Sequence, residues 1–133
     1  MEPKLPLMSA SFIVTDMKFS PHKCTKYFGI QPTSVTTKGE INLKSKRPMP
    51  TSAWRIRTKW ARFDSTDTPF QLLLELIWQK RRQIRGFSTK NSLTIQFLLN
   101  INGAGKRNFL YEFAPITIAR VSYFKAQFRF DVY

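Results

Sequence analysis

Alternation between apolar and cationic residues in the segment SAWRIRTKW, residues 52–60, most constrains how this chain can fold. Successive side chains of a β-strand point to opposite faces of a sheet. The alternation predicts a strand with one face formed by Trp54, Ile56, Thr58 and Trp60 and the other by Arg55, Arg57 and Lys59. A strand with one apolar and one charged face is typical of a sheet that is covered on one side only.

Apolar patterns elsewhere complete the expected fold. They predict further strands at 8–15, 92–102 and 126–133, a brief strand at 109–113, and helices at 20–29, 68–86 and 115–124. Residues 41–51 are compatible with a short edge strand or with a loop. Together these elements predict one α+β domain over residues 1–133. Its single mixed, mostly antiparallel curved sheet has two or three helices packed on one face.

The segment TPFQLLLELIWQKRRQIRGF predicts the longest helix. Thr68 and Gln71 have the spacing of a capping box. Pro69 suits the first helical position, and Gly86 suits the end of the helix. Apolar residues at helical spacing form a stripe that we expect to face the core: Phe70, Leu73, Leu74, Ile77 and Ile84.

The chain is strongly basic, with 22 Lys and Arg residues against 8 Asp and Glu residues and a formal net charge of +14. A surface of this kind attracts nucleic acid, an anionic membrane face or an acidic protein. The single cysteine, Cys24, excludes a disulfide framework and a multi-cysteine metal site. The first residues do not resemble a signal peptide, and no apolar run is long enough to span a membrane. We therefore expect a cytoplasmic protein without a membrane span.

Few residues carry a signature of catalysis or metal binding. His22 and Cys24 are two positions apart on the first predicted helix, where side chains do not face each other. The loop GIQPTSVTTKGE has two glycines, but they are not spaced as in a phosphate-binding loop. Gly29 is better explained as the cap of the first helix, with Ile30 packing back onto it. We expect no catalytic residue, no metal site and no cofactor.

Several short motifs follow one another in a characteristic order: a strand followed by SP, a helix ending in FGIQPT, then KGE, AWRI, a long amphipathic helix and a terminal FDVY. In this order they resemble the bacterial family known as domain of unknown function 4279, along nearly the whole chain. The resemblance implies the family's fold, and it implies no activity, cofactor or catalytic residue. The chain departs from the family in the cations that follow Trp54 and in its strongly basic charge.

Two clusters of cations are candidate sites for a partner or a polyanion. The first, which we call the strand cluster, comprises Lys44, Lys46, Arg47, Arg55, Arg57 and Lys59. The second, which we call the helix cluster, comprises Lys80, Arg81, Arg82 and Arg85. A run of cations on one strand face favours a binding surface over a merely solvated face. For the helix cluster, binding and complementation of the helix dipole both remain open.

These observations predict a non-enzymatic binding protein whose basic surface engages an acidic protein partner, for example an immunity-type protein that neutralises a toxin. The alternative is sequence-tolerant binding of nucleic acid through the same cations. A second alternative is an enzyme whose scattered polar residues meet in space. Trp54 and Trp60 share the apolar face of their strand, so we expect both in the core rather than on a base-stacking surface.

Overall fold

The computed structural model describes residues 5–103 and 112–133, and within them six strands form one sheet. The strands are β1 (Leu7–Thr15), β2 (Ser34–Thr36), β3 (Ala53–Arg57), β4 (Ala61–Arg62), β5 (Thr94–Asn102) and β6 (Gln127–Val132). Their order is β2-β3-β1-β5-β6, and β4 pairs with β1. Among the strands of the described residues, only β5 and β6 pair in parallel, so the predicted mixed, mostly antiparallel sheet is confirmed. The strand predicted at 109–113 falls mostly outside the described residues.

Helices pack on one face of this sheet. Within the described residues they are α1 (His22–Phe28), α2 (Asp67–Ile77), α3 (Arg81–Lys90) and α4 (Pro115–Tyr123). A 3₁₀ turn at Trp78–Lys80 joins α2 to α3, where the sequence predicts one continuous helix. The predicted helix end at Gly86 is wrong. Gly86 lies on the exposed side of α3, where a glycine weakens a helix without ending it.

The start of α2 is held by tertiary contacts. The helix begins at Asp67, and the capping box predicted over residues 68–71 does not form. Thr66 Oγ1 donates to the carbonyl of Glu112 at 3.0 Å, and the Asp67 carboxylate accepts the N–H of Ala114 at 2.9 Å. Both bonds reach the chain just before α4. A local sequence pattern therefore cannot predict them.

The core lies between the helices and one face of the sheet, as the alternation in the strands predicts. Phe12 on β1 meets the ring of Trp54 edge-on at a centroid distance of 6.2 Å and that of Phe97 at 5.4 Å. The indole N–H of Trp54 donates to Thr25 Oγ1 of α1 at 2.9 Å, so this buried donor is satisfied. The predicted stripe of the long helix is buried at every position: Phe70, Leu73, Leu74, Ile77 and Ile84.

Trp60 lies outside the core, and its predicted position is wrong because the strand contains a bulge. Arg57 pairs with Ser11 and Ala61 pairs with Met8, so the chain between β3 and β4 has one extra residue over this span. An extra residue reverses the alternation beyond it. Trp60 therefore leaves the covered face, and it is 42% exposed.

Candidate functional site

The face of the sheet opposite the helices, which we call the uncovered face, is the first candidate surface. None of the described helices contributes to the packing on this side. Strand pairing places there Ser9, Ser11 and Ile13 of β1, Arg55 and Arg57 of β3, Gln96, Leu98 and Asn100 of β5, and Gln127, Arg129 and Asp131 of β6. The uncovered face is thus mixed and mostly polar. Ser9, Ser11 and Asn100 are buried in it, so the groups that can bind a partner's polar atoms are the exposed guanidinium and amide groups of Arg57, Arg129 and Gln127.

Arg55 and Arg57 lie two positions apart on this face. Arg55 is half-buried and its Nη1 donates to Thr36 Oγ1 of β2 at 2.9 Å. Burial, together with the charge of Arg57, lowers the pKa of Arg55 below its ordinary value. The two like charges repel each other, and an anion bound to both would remove that repulsion.

The strand cluster divides into two groups. Three members of the cluster, Lys44, Lys46 and Arg47, are exposed in the loop between β2 and β3. This loop contains a single bridge between Ile41 and Pro48 and enters β3 at Ala53. Arg57 lies at the other end of β3, and Lys59 is exposed in the bulge beyond it. The loop cations therefore join β3 at the end opposite Arg57 and Lys59.

The helix cluster lies in the helical layer, on the opposite side of the sheet from Arg55 and Arg57. The guanidinium carbon of Arg81 is 4.6 Å from the centroid of the Trp78 ring. That of Arg85 is 4.8 Å from the centroid of Tyr123. The remaining cations of the cluster are the half-buried Lys80 and the exposed Arg82. The two predicted clusters are therefore separate surfaces.

Arg120 of α4 joins the helix cluster, although no local pattern in the sequence predicts it. Its guanidinium carbon lies 4.9 Å from the centroid of the same Trp78 ring that Arg81 contacts. The rings of Trp78 and Tyr123 are 5.6 Å apart. The spacing of three residues between Trp78 and Arg81 is a local signal for part of this group. The contact of Arg120 joins α4 to the 3₁₀ turn and depends on the tertiary fold.

Neither cluster is neutralised by acidic side chains of the described residues. The ion pair found among them joins Arg129 and Asp131 of β6 across 3.4 Å. Exposed pairs of this kind contribute little to stability. The positive charge of the described surface is therefore left to solvent ions or to a binding partner.

His22 and Cys24, the two residues considered for catalysis, lie in different environments. Cys24 is buried, and burial raises the pKa of its thiol to about 11, which keeps the thiol protonated and unreactive. His22 is exposed at the start of α1. Over residues 5–103 and 112–133, no three His, Cys, Asp or Glu side chains group as metal ligands. No helix in those ranges has the length and apolar character needed to cross a membrane.

The loop GIQPTSVTTKGE is a helix cap followed by a short strand. Gly29, with φ of 71°, caps α1, which confirms the prediction. The N–H of Lys38 donates to Ser52 Oγ at 2.9 Å, and the N–H of Thr37 donates to the Glu40 carboxylate at 3.2 Å. Because these two amides are already bonded within the chain, they do not form a phosphate cradle.

The chain belongs to the family described as domain of unknown function DUF4279, whose model matches residues 6–133. The resemblance carried by the order of the sequence motifs is thereby confirmed. The family description names no activity. No curated protein and no solved structure was found to be similar to the chain.

Proposed function

We propose that the protein binds an acidic protein partner through the uncovered face of its sheet. The observation that carries this proposal is the pair Arg55 and Arg57, which no described acidic side chain approaches within ion-pair distance. Their proximity has an electrostatic cost, since Arg57 contributes to the lowered pKa of Arg55. A carboxylate that approaches both arginines relieves this repulsion and accepts charge-assisted hydrogen bonds.

The neighbours of the two arginines suit a protein surface. On β1, Ser11 lies opposite Arg57 and Ile13 lies opposite Arg55. Beyond β1, the side chains of β5 add amides and an apolar Leu98. Arginine among neutral polar and apolar side chains is typical of protein interfaces. A net charge of +14 would speed the encounter with an acidic partner. An immunity-type protein that neutralises an acidic toxin is one specific form of this proposal.

A charge-reversal experiment tests the proposed surface. An acidic protein that copurifies with the tagged chain from nuclease-treated extract is itself purified and titrated by calorimetry. Arg55→Glu combined with Arg57→Glu should weaken binding about tenfold or more, because two charge pairs that the complex buries become repulsive. The matched control is Lys23→Glu combined with Lys26→Glu, which changes the net charge equally on exposed positions of α1. Equal weakening by both pairs would contradict a site on the uncovered face.

Nucleic acid is the alternative partner, and the exposure of Trp60 favours it. This ring is 42% exposed next to Lys59, at the end of β3 that carries Arg57. An exposed ring beside cations can stack a base while the cations bind phosphates.

Fluorescence anisotropy with labelled single-stranded RNA and duplex DNA at physiological salt tests this alternative. A Kd well below the ~10⁻⁴–10⁻⁶ M of non-specific contacts, and lost in Trp60→Ala, would make nucleic acid the leading partner. Weaker binding that Trp60→Ala does not change would reject it.

A further inference from the structure

Three arginines of the helical layer are held against aromatic rings. Arg81 and Arg120 lie over the Trp78 ring, at 4.6 and 4.9 Å from its centroid. Arg85 lies over Tyr123 at 4.8 Å. Stacking fixes the plane of a guanidinium group and leaves its N–H edge to acceptors. Arg81 already uses part of this edge, since its Nη1 donates to the carbonyl of Trp78 at 3.0 Å. These groups are therefore oriented before a ligand arrives, which lowers the entropy cost of binding.

A cavity of about 220 Å³ opens beside Arg85. A second cation, Lys125, and three hydroxyl-bearing residues line it together with apolar side chains. The hydroxyl-bearing residues are Ser88, Thr89 and Ser92. No acidic side chain is among the described residues that form its wall. A cavity of this size holds a phosphate group with several waters, each of which takes about 30 Å³.

Two buried polar atoms in this region lack a partner among the described residues. Ser88 lines the cavity and is 4% exposed, and its Oγ makes no hydrogen bond. Arg120 Nε is also buried without a partner. Native proteins rarely leave buried donors unpaired unless water, an ion or a ligand completes the bond. An anion in the cavity would accept the hydrogen bond that the Ser88 hydroxyl lacks.

Complementation of the helix dipole does not account for Arg85. This residue lies in the middle of α3 rather than in its last turn. The carbonyls at the end of α3 are already used, since Phe87 O accepts the N–H of Asn91 at 3.1 Å and Ser88 O accepts that of Leu93 at 2.9 Å. Stacking on Tyr123 accounts for the orientation of Arg85 but leaves its charge without a counterpart.

We infer that Arg85, Lys125 and Ser88 form a binding site for a phosphoryl group, with Arg81 and Arg120 beside it to contact a second phosphate. The planar fork of arginine matches two phosphate oxygens at once. The limited size of the cavity favours a small phosphorylated molecule over a nucleic-acid duplex. The site lies across the sheet from the uncovered face, so it does not rest on the function proposed for that face.

Calorimetric titration of the full-length protein with inorganic pyrophosphate, at constant ionic strength, tests this site. The wild type should bind with a single saturable site. Arg85→Gln removes a charged hydrogen-bond donor and should lower the affinity about tenfold or more. Lys23→Gln is the matched control, because it removes the same charge from an exposed position of α1 outside both clusters, and it should leave the affinity unchanged. Equal loss in both variants, or binding without saturation, would overturn the inference.

If Arg85→Gln does not fold, the site can be located in the wild type by measuring its amide chemical shifts by NMR as pyrophosphate is added. Changes on adding pyrophosphate that concentrate at residues 85–93 and 120–125 support the site. Changes spread equally over both basic clusters would overturn it, and the arginines would then serve only to cover Trp78 and Tyr123. Competition by a single-stranded RNA oligonucleotide distinguishes the source of the phosphoryl group. Displacement of pyrophosphate by RNA would assign it to a nucleic-acid backbone, and failure to displace would assign it to a small molecule.

Discussion

The two faces of the sheet are built by the same strands, yet they differ in the side-chain interactions that they make. On β1, Phe12 faces the helices and meets three other rings, while its neighbour Ser11 faces the other way, between Arg57 and Leu98. Burial of large apolar side chains is the dominant source of folding stability. The covered face therefore carries most of the stability of the strands. The uncovered face is left free to carry charge.

The largest expected effect comes from truncating Phe12 on the covered face, compared with truncating its neighbour Ser11 on the uncovered face. Phe12→Ala should lower the free energy of unfolding by about 3–5 kcal/mol, because it removes a fully buried ring and leaves a cavity. Ser11→Ala should change it by less than about 1 kcal/mol. Urea denaturation followed by circular dichroism measures both. Phe12→Leu replaces Phe12→Ala if the latter does not fold. Similar losses from Ser11→Ala and the Phe12 variant would show that the uncovered face belongs to the core.

Most of the covered face could be predicted from the sequence because it depends on local periodicity. Alternation placed Trp54 and Ile56 inward on β3, and helical spacing placed Phe70 and Ile84 in the core. Both patterns follow from the geometry of the backbone and need no knowledge of distant residues. Gly29 was predictable for the same reason, since a helix end that requires positive φ is a local feature.

The predictions failed where a local pattern meets a distant contact. Trp60 continues the alternation of its strand, but an extra residue opposite β1 turns it outward. The start of α2 depends on Ala114, which lies far away in the sequence. The candidate phosphoryl site depends on Arg120 and Lys125, which only the packing of α4 against the 3₁₀ turn and α3 brings near Arg85. Charge alone identified Arg81 and Arg85 of that site, and not its geometry.

The next largest effect is expected on the pH dependence of stability, through the buried thiol of Cys24 on α1. The pKa of Cys24 is raised by burial from 9.0 to about 11, so the folded protein holds the thiol proton more tightly than the unfolded chain. The contribution of the protonated thiol to the free energy of unfolding is complete below pH 9 and is lost as the pH rises toward 11. The free energy of unfolding then falls by at most about 1.4 kcal/mol per pH unit. The stability difference between the wild type and Cys24→Ala should therefore shrink over this range. A difference that stays constant would mean that the thiol is not desolvated in the fold.

Two glycines of the helical layer should respond in opposite directions. Gly86 lies within α3, and a Cβ there would meet no atom within 4 Å, so Gly86→Ala should stabilise the protein by about 1 kcal/mol. Gly29 has φ of 71°, which strains an L-residue, so Gly29→Ala should destabilise it by about 1 kcal/mol. Thermal unfolding of both variants provides the measurement. Stabilisation by both would contradict the left-handed cap of α1.

The smallest effect is expected on the uncovered face, and its sign is informative. Arg57→Gln removes a charge that repels Arg55, so it should raise the free energy of unfolding by about 0.2–0.5 kcal/mol at low salt. The gain should disappear at high salt, because screening already weakens the repulsion. Lys23→Gln, on an exposed position of α1, is the control for a general decrease in net charge. A gain specific to Arg57 would show that the fold tolerates a repulsive pair on this face, as expected where residues are kept for binding rather than for stability. A loss of stability would instead make Arg57 part of the structural framework and remove the main support for a partner site there.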